Sequence, residues 1–164
     1  MHFTKTLAAL ACLLSAGTAQ ADPFSNGPGQ GGSIPRGAFE AGWEANGAWL
    51  YSCVTEHNGG WHPGKIRPGF SGCNFGYGGR ELTASHYRVL TGTYNWLNMS
   101  NTPGSIPGAA VPIGYEADGR TLYVCRGEYK GGWHPGKIRA GFSGCSIGYG
   151  GREIEVKSYD VLIP

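Results

Sequence analysis

The chain predicts an all-β fold made of two tandem copies of one glycine-rich module, and three observations predict it. Of 164 residues, 30 are Gly and 10 are Pro, a composition that favours turns and short strands, while 5 Trp and 9 Tyr argue against disorder. The sequence also repeats itself: with an offset of 72 residues, Ser33 to Leu90 aligns without gaps on Ser105 to Leu162, about 35 of 58 positions being identical. Finally, no window carries a sustained helical period with caps, whereas short β-branched and aromatic runs stand between glycine turns.

Taken in order, residues 1–21 read as a signal peptide. His2 and Lys5 give a basic start, Leu7 to Leu14 is apolar, and Ala19-Gln20-Ala21 fits a small-x-small cleavage site. Cys12 raises the alternative of a lipoprotein, but Ala9-Leu10-Ala11 is a poor context for lipid attachment. The apolar run falls short of the roughly 20 residues that span a bilayer, so no membrane span is expected. Residues 22–32 read as a flexible lead-in, 33–92 as the first copy, 93–104 as a linker rich in Asn, Ser, Thr, Gly and Pro, and 105–164 as the second copy. Strands are expected over Trp49 to Val54 and Thr121 to Arg126, and over Tyr87 to Leu90 and Tyr159 to Ile163. Lys65-Ile66-Arg67 alternates polar and apolar, as a strand with one wet face would. Each half alone would bury too little surface, so the two should pack about a pseudo-twofold axis around one shared core.

Lys and Arg number 13 against 11 Asp and Glu, so the net charge gives no reason to expect nucleic acid or an anionic membrane as partner. Cys53, Cys73, Cys125 and Cys145 follow the 72-residue offset, and an even number behind a signal peptide favours disulfides in an oxidising compartment. The duplication leaves two symmetric schemes, pairs within a copy or bridges between copies, of which the pairs within a copy are preferred. A zinc site combining these cysteines with His62 or His134 competes, but no close Cys-x-x-Cys pair exists.

The best-matched block is Trp61-His62-Pro63-Gly64-Lys65 and its copy Trp133-His134-Pro135-Gly136-Lys137, read as a tight turn shaped by Pro-Gly. An indole face beside an ammonium suits a sugar ring and its hydroxyls, although each Trp taken alone reads as a core residue and each His as structural. Glu44 and Glu116 stand 21 residues before Lys65 and Lys137. By themselves they read as solvated turn charges, yet a carboxylate that accepts beside an amine that donates can read the vicinal hydroxyls of a monosaccharide. Arg80-Glu81 and Arg152-Glu153 read as ion pairs or as polar contacts to a ligand, the ion pairs being preferred because adjacent charges also guard an edge strand. Gly76 to Gly79 lacks the Lys-Ser/Thr ending of a phosphate loop, and Ser71 and Ser143 do not form a nucleophile elbow. Carboxylate pairs for glycoside cleavage could be drawn from Glu44, Glu56 and Glu81, but each recurs in the second copy, which fits repeated binding better than one catalytic centre. No enzymatic activity, metal or cofactor is therefore expected.

Leu122-Tyr123-Val124-Cys125-Arg126, the Gly-Gly-Trp-His-Pro-Gly-Lys block ending at Lys137, Gly148-Tyr149-Gly150-Gly151-Arg152-Glu153 and Tyr159-Asp160-Val161-Leu162 together resemble the DM9 repeat family. The resemblance covers nearly all of the chain after residue 21, in both copies. It implies a tandem β-sheet unit, often a homodimer, whose characterised animal members are mannose-binding lectins of innate recognition. Family binding positions carry over to Glu44 with Lys65 and Glu116 with Lys137, and Trp61 and Trp133 are expected nearby as apolar platforms or supports. This chain departs from the family in having Trp-His before Pro-Gly, in its paired cysteines, and in Ser52-Cys53-Val54 where the second copy keeps Val124-Cys125-Arg126. The expectation is a secreted or periplasmic mannose-type lectin; a secreted module that binds another protein is the alternative.

Overall fold

The computed structural model describes residues 22–25 and 29–164, so the expected signal peptide and Cys12 lie outside the described residues. The described chain is all-β, as predicted. The lead-in contributes β1 (Gly29–Gln30), and the first copy β2 (Glu40–Trp43), β3 (Trp49–His57), β4 (Gly60–Ile66), β5 (Cys73–Tyr77), β6 (Arg80–Ala84) and β7 (His86–Val89). The linker contributes β8 (Asn95–Asn98), and the second copy β9 (Pro112–Tyr115), β10 (Thr121–Tyr129), β11 (Gly132–Ile138), β12 (Cys145–Tyr149), β13 (Arg152–Val156) and β14 (Tyr159–Ile163). From β2 and β9 onward the two sets correspond strand for strand, at the offset read from the sequence.

Turn chemistry sets the hairpins. Asn58 and Gly59 have φ of 47° and 78°, and Lys130 and Gly131 repeat this at 46° and 80°, with His57 facing Gly60 and Tyr129 facing Gly132 across the turns. Two successive left-handed residues make the turn whose twist matches that of paired strands, so β3 runs directly back as β4 and β10 as β11. Gly78-Gly79 and Gly150-Gly151 join β5 to β6 and β12 to β13 in the same way.

The copies then exchange strands. β2 pairs with β3 of its own copy and, through Trp43 opposite Trp133, with β11 of the other; β9 does the same with β10 and, through Tyr115 opposite Trp61, with β4. β6 and β13 meet at Arg80 and Arg152. A ring of eight strands closes in the order β2-β11-β12-β13-β6-β5-β4-β3, with the remaining strands attached to it. β6 therefore lies between β5 and β13 and is not the edge strand that its adjacent charges suggested, because the pseudo-twofold partner covers it. Asn95–Asn98, within 93–104, pairs with β14, and Phe24 and β1, within 22–32, pair with Leu90 and β7.

Cys53 is bonded to Cys73 and Cys125 to Cys145, the scheme within each copy. Each bridge sits in a buried cluster of its own copy, with Ile66, Tyr87 and Val89 in the first and Ile138, Tyr159 and Val161 in the second. Between them Val54, Leu90, Ile113, Val124 and Leu162, drawn from both copies, form the shared core.

Candidate functional site

Glu44 lies in the turn from β2 to β3, where its N–H donates to Ala48 O at 2.9 Å and Gly47, at φ 84°, closes the turn by donating to Glu44 O at 2.8 Å. Lys65 lies near the end of β4, opposite Asn74 of β5. Although 21 residues apart, both line one cavity of about 520 Å³ together with Asn46, Asn74, Glu81 and Tyr149. Tyr149 comes from the second copy, so strand exchange completes the site.

Lys65, on what the alternation marks as the wet face of its strand, is only 3 % exposed. Its Nζ lies 3.4 Å from His134 Nδ1, 3.8 Å from Glu81 Oε2 and 5.3 Å from the centre of the Tyr149 ring. Burial pushes its pKa below the ordinary lysine value, and the Glu81 and Glu44 carboxylates oppose that shift. His134 is itself buried, with Nε2 3.1 Å from Tyr129 O. A carbonyl can only accept, so Nε2 carries the proton and Nδ1 presents its lone pair to the lysine. Burial first, and then the Lys65 charge, lower the imidazole pKa to about 4, so it is neutral at physiological pH.

Glu44 Oε1 accepts from Arg67 Nε at 3.3 Å, and its Oε2 lies 3.9 Å from His134 Nδ1. The side chain is thus held toward the cavity, with acceptor capacity to spare. Glu81 reaches across the pseudo-twofold axis: its N–H donates to Gly151 O at 3.0 Å, and Oε2 is buried without a hydrogen-bond partner. Gly148 makes room for it, since a Cβ there would fall 2.7 Å from that oxygen.

The second copy repeats the constellation. Lys137 Nζ lies 3.2 Å from His62 Nδ1, 3.9 Å from Glu153 Oε2 and 5.5 Å from the Tyr77 ring centre, while Arg139 Nε donates to Glu116 Oε1 at 2.9 Å. Burial lowers the Lys137 pKa against the pull of Glu153 and Glu116, and lowers His62 to about 4. His62 Nε2 faces His57 O at 3.2 Å, giving the same tautomer.

Trp61 and Trp133 stand elsewhere. Trp61 is half-buried against the shared core, and Trp133 packs 6.3 Å from Trp43 with the Arg126 guanidinium 5.1 Å from its ring; neither lines the Glu44–Lys65 cavity. Sequence reasoning overlooked Asn46, Asn74, Arg67 and the Tyr77 and Tyr149 rings, treated His62 and His134 as structural, and preferred ion pairing to ligand contact for Glu81 and Glu153. Their 72-residue recurrence was visible for all but the asparagines; their convergence depends on strands exchanged between copies.

Among the described residues, no group of three or more His, Cys, Asp or Glu is arranged to hold a metal ion, and no helix is long and apolar enough to cross a membrane. No curated protein matches the chain in sequence. Among solved structures, the nematode sperm cell motility protein MFP2B is similar in fold, with a TM-score of 0.59 at 19% identity over 81% of this chain. The match takes in 44% of that protein, so this chain spans less than half of its length. Compared with known families, the chain matches the DM9 repeat over residues 18–84 and again over 73–156. With two matches that span most of its length and a duplicated fold beneath them, the chain belongs to the DM9 repeat family.

Proposed function

We propose that the protein is a secreted, mannose-type lectin whose two copied pockets bind pyranose hydroxyls through Glu44 with Lys65 and Glu116 with Lys137. What supports this is the shared cavity: a carboxylate with spare acceptor capacity and an amine with spare donors face one hollow of about 520 Å³. That volume lies within the roughly 300–1,000 Å³ common for small-ligand sites. Vicinal hydroxyls both donate and accept, so such a pair can hold them without any chemistry taking place. The role is one of binding, with no cofactor, and Trp61 and Trp133 act as supports of the sheet. Two disulfides and the signal-like residues 1–21 fit export to an oxidising compartment. Each site should be weak, near millimolar or about 4 kcal/mol, with avidity from two sites per chain and from a homodimer.

Titration against methyl α-mannoside and mannan tests this. Binding to mannan is expected for the natural chain and its loss in the Lys65→Ala, Lys137→Ala double variant. Absence of binding, or binding that the double variant retains, would remove the lectin assignment.

A further inference from the structure

The Glu44–Lys65 cavity and the matching side-chain group around Glu116 and Lys137, taken as the second pocket, share their Glu, Lys, Arg and Tyr but differ at two positions: Asn46 is replaced by Asp118 and Asn74 by Ser146. Asn46 Oδ1 accepts from Ala48 N–H at 3.0 Å. A backbone N–H can only donate, so the amide orientation follows, and the Nδ2 hydrogens of Asn46 have no protein partner among the described residues. Asn74 Oδ1 accepts from the Thr83 hydroxyl at 2.8 Å, leaving its Nδ2 hydrogens in the same condition. Both asparagines line the cavity of Glu44 and Lys65. The first pocket therefore holds two amide arms with hydrogens to give.

The second pocket has neither. Asp118 carries no hydrogen to donate, and each of its oxygens already accepts from Arg120: Oδ1 from the N–H at 3.1 Å and Oδ2 from Nε at 2.7 Å. Ala48 stands at the position of Arg120 in the first copy, so nothing ties Asn46 in that way. Ser146 is a shorter side chain, 2 % exposed, and its hydroxyl has no hydrogen-bond partner.

We infer that the pockets are unequal, the first being the stronger site for a neutral pyranose because Asn46 and Asn74 add donors to its hydroxyl oxygens. This rests on the sugar-binding proposal above. Two additional hydrogen bonds toward the weak end of the net range separate the sites by about tenfold in dissociation constant.

Nitrogen-15 NMR titration of the full chain with methyl α-mannoside reads both sites at once, through Gly150 at the first pocket and its counterpart Gly78 at the second. The Gly150 midpoint is expected about tenfold below that of Gly78. Asn46→Asp with Asn74→Ser should raise the Gly150 midpoint to the Gly78 value, and Asp118→Asn with Arg120→Ala and Ser146→Asn should lower the Gly78 midpoint. Equal or inverted midpoints in the natural chain overturn the inequality while sugar binding stands. Unequal midpoints that neither exchange moves overturn the assignment to the asparagines. No shift at either glycine up to about 50 mM sugar, well above the millimolar range expected, removes both proposals.

Discussion

His62 and His134 each face a carbonyl on one side and a lysine on the other, and that arrangement holds only for a neutral ring. The folded imidazoles titrate near 4, against 6.5 for an ordinary histidine. Between those values the unfolded chain binds protons that the folded chain does not, so acidification favours unfolding. This contribution is complete above pH 6.5, declines as pH falls, and levels off below about 4, at most about 3 kcal/mol for each ring. Denaturant midpoints should therefore fall between pH 6.5 and 5, above the range where carboxylates protonate. His62→Gln with His134→Gln should flatten that segment; a natural chain already flat there would contradict the neutral, buried assignment. The same pairing explains why the lysines are buried. The sequence shows Lys65 in an alternating strand, but its neighbours in the fold, His134 and Tyr149, belong to the other copy.

At the scale of elements, β4 and β11 carry the site because three strands converge on each. β4 has β3 on one side over seven paired residues, while Lys65 touches β5 and Trp61 touches β9. The close approach of β5 requires Gly64: a Cβ there would lie 2.2 Å from Asn74 O and 2.8 Å from Phe75 Cβ, the first a backbone atom that cannot step aside. Gly64→Ala should cost about 3 kcal/mol, the upper end of overpacking, and move Asn74 away from the cavity. Denaturation and the Gly150 resonance would report it, and a stability loss under about 0.5 kcal/mol, the scale of ordinary surface changes, would show that the approach is not tight. Gly148→Ala is a gentler change, since the atom in its way is the end of the flexible Glu81 side chain. It should displace the carboxylate from Lys65 and leave stability nearly intact, as a Gly150 shift with an unchanged denaturation midpoint would show.

Across the whole molecule, neither copy is a unit by itself. β2 and β9 lie between the copies, the shared core takes side chains from both, and the first pocket needs Tyr149 and His134. Residues 22–92 alone should show no cooperative thermal transition by circular dichroism, and a sharp one would contradict this interdependence. The disulfides constrain each copy separately, each joining cysteines 20 residues apart. Replacing Cys125 and Cys145 by Ser should lower stability by about 3 kcal/mol in the chain-entropy account, measured by denaturation under oxidising conditions.

The Trp-His-Pro-Gly-Lys block, whose Pro-Gly reads as a tight turn, is instead strand in β4 and β11, and the chain reverses before it at Asn58-Gly59 and Lys130-Gly131. What the sequence by itself determined was the strand class, the duplication and the Tyr-Gly-Gly turns, with the cysteine pairing within a copy preferred. These depend on local chemistry, on left-handed turn residues, alternating apolar positions and a fixed offset, which neighbouring residues along the chain are enough to express. Only the tertiary structure decided which residues share a cavity. Glu44 meets Lys65 through the turn after β2, Lys65 meets His134 across the copies, and Trp61 and Trp133 go to other packing. Strand exchange brings together groups 69 and 75 residues apart, and no spacing within one copy records that.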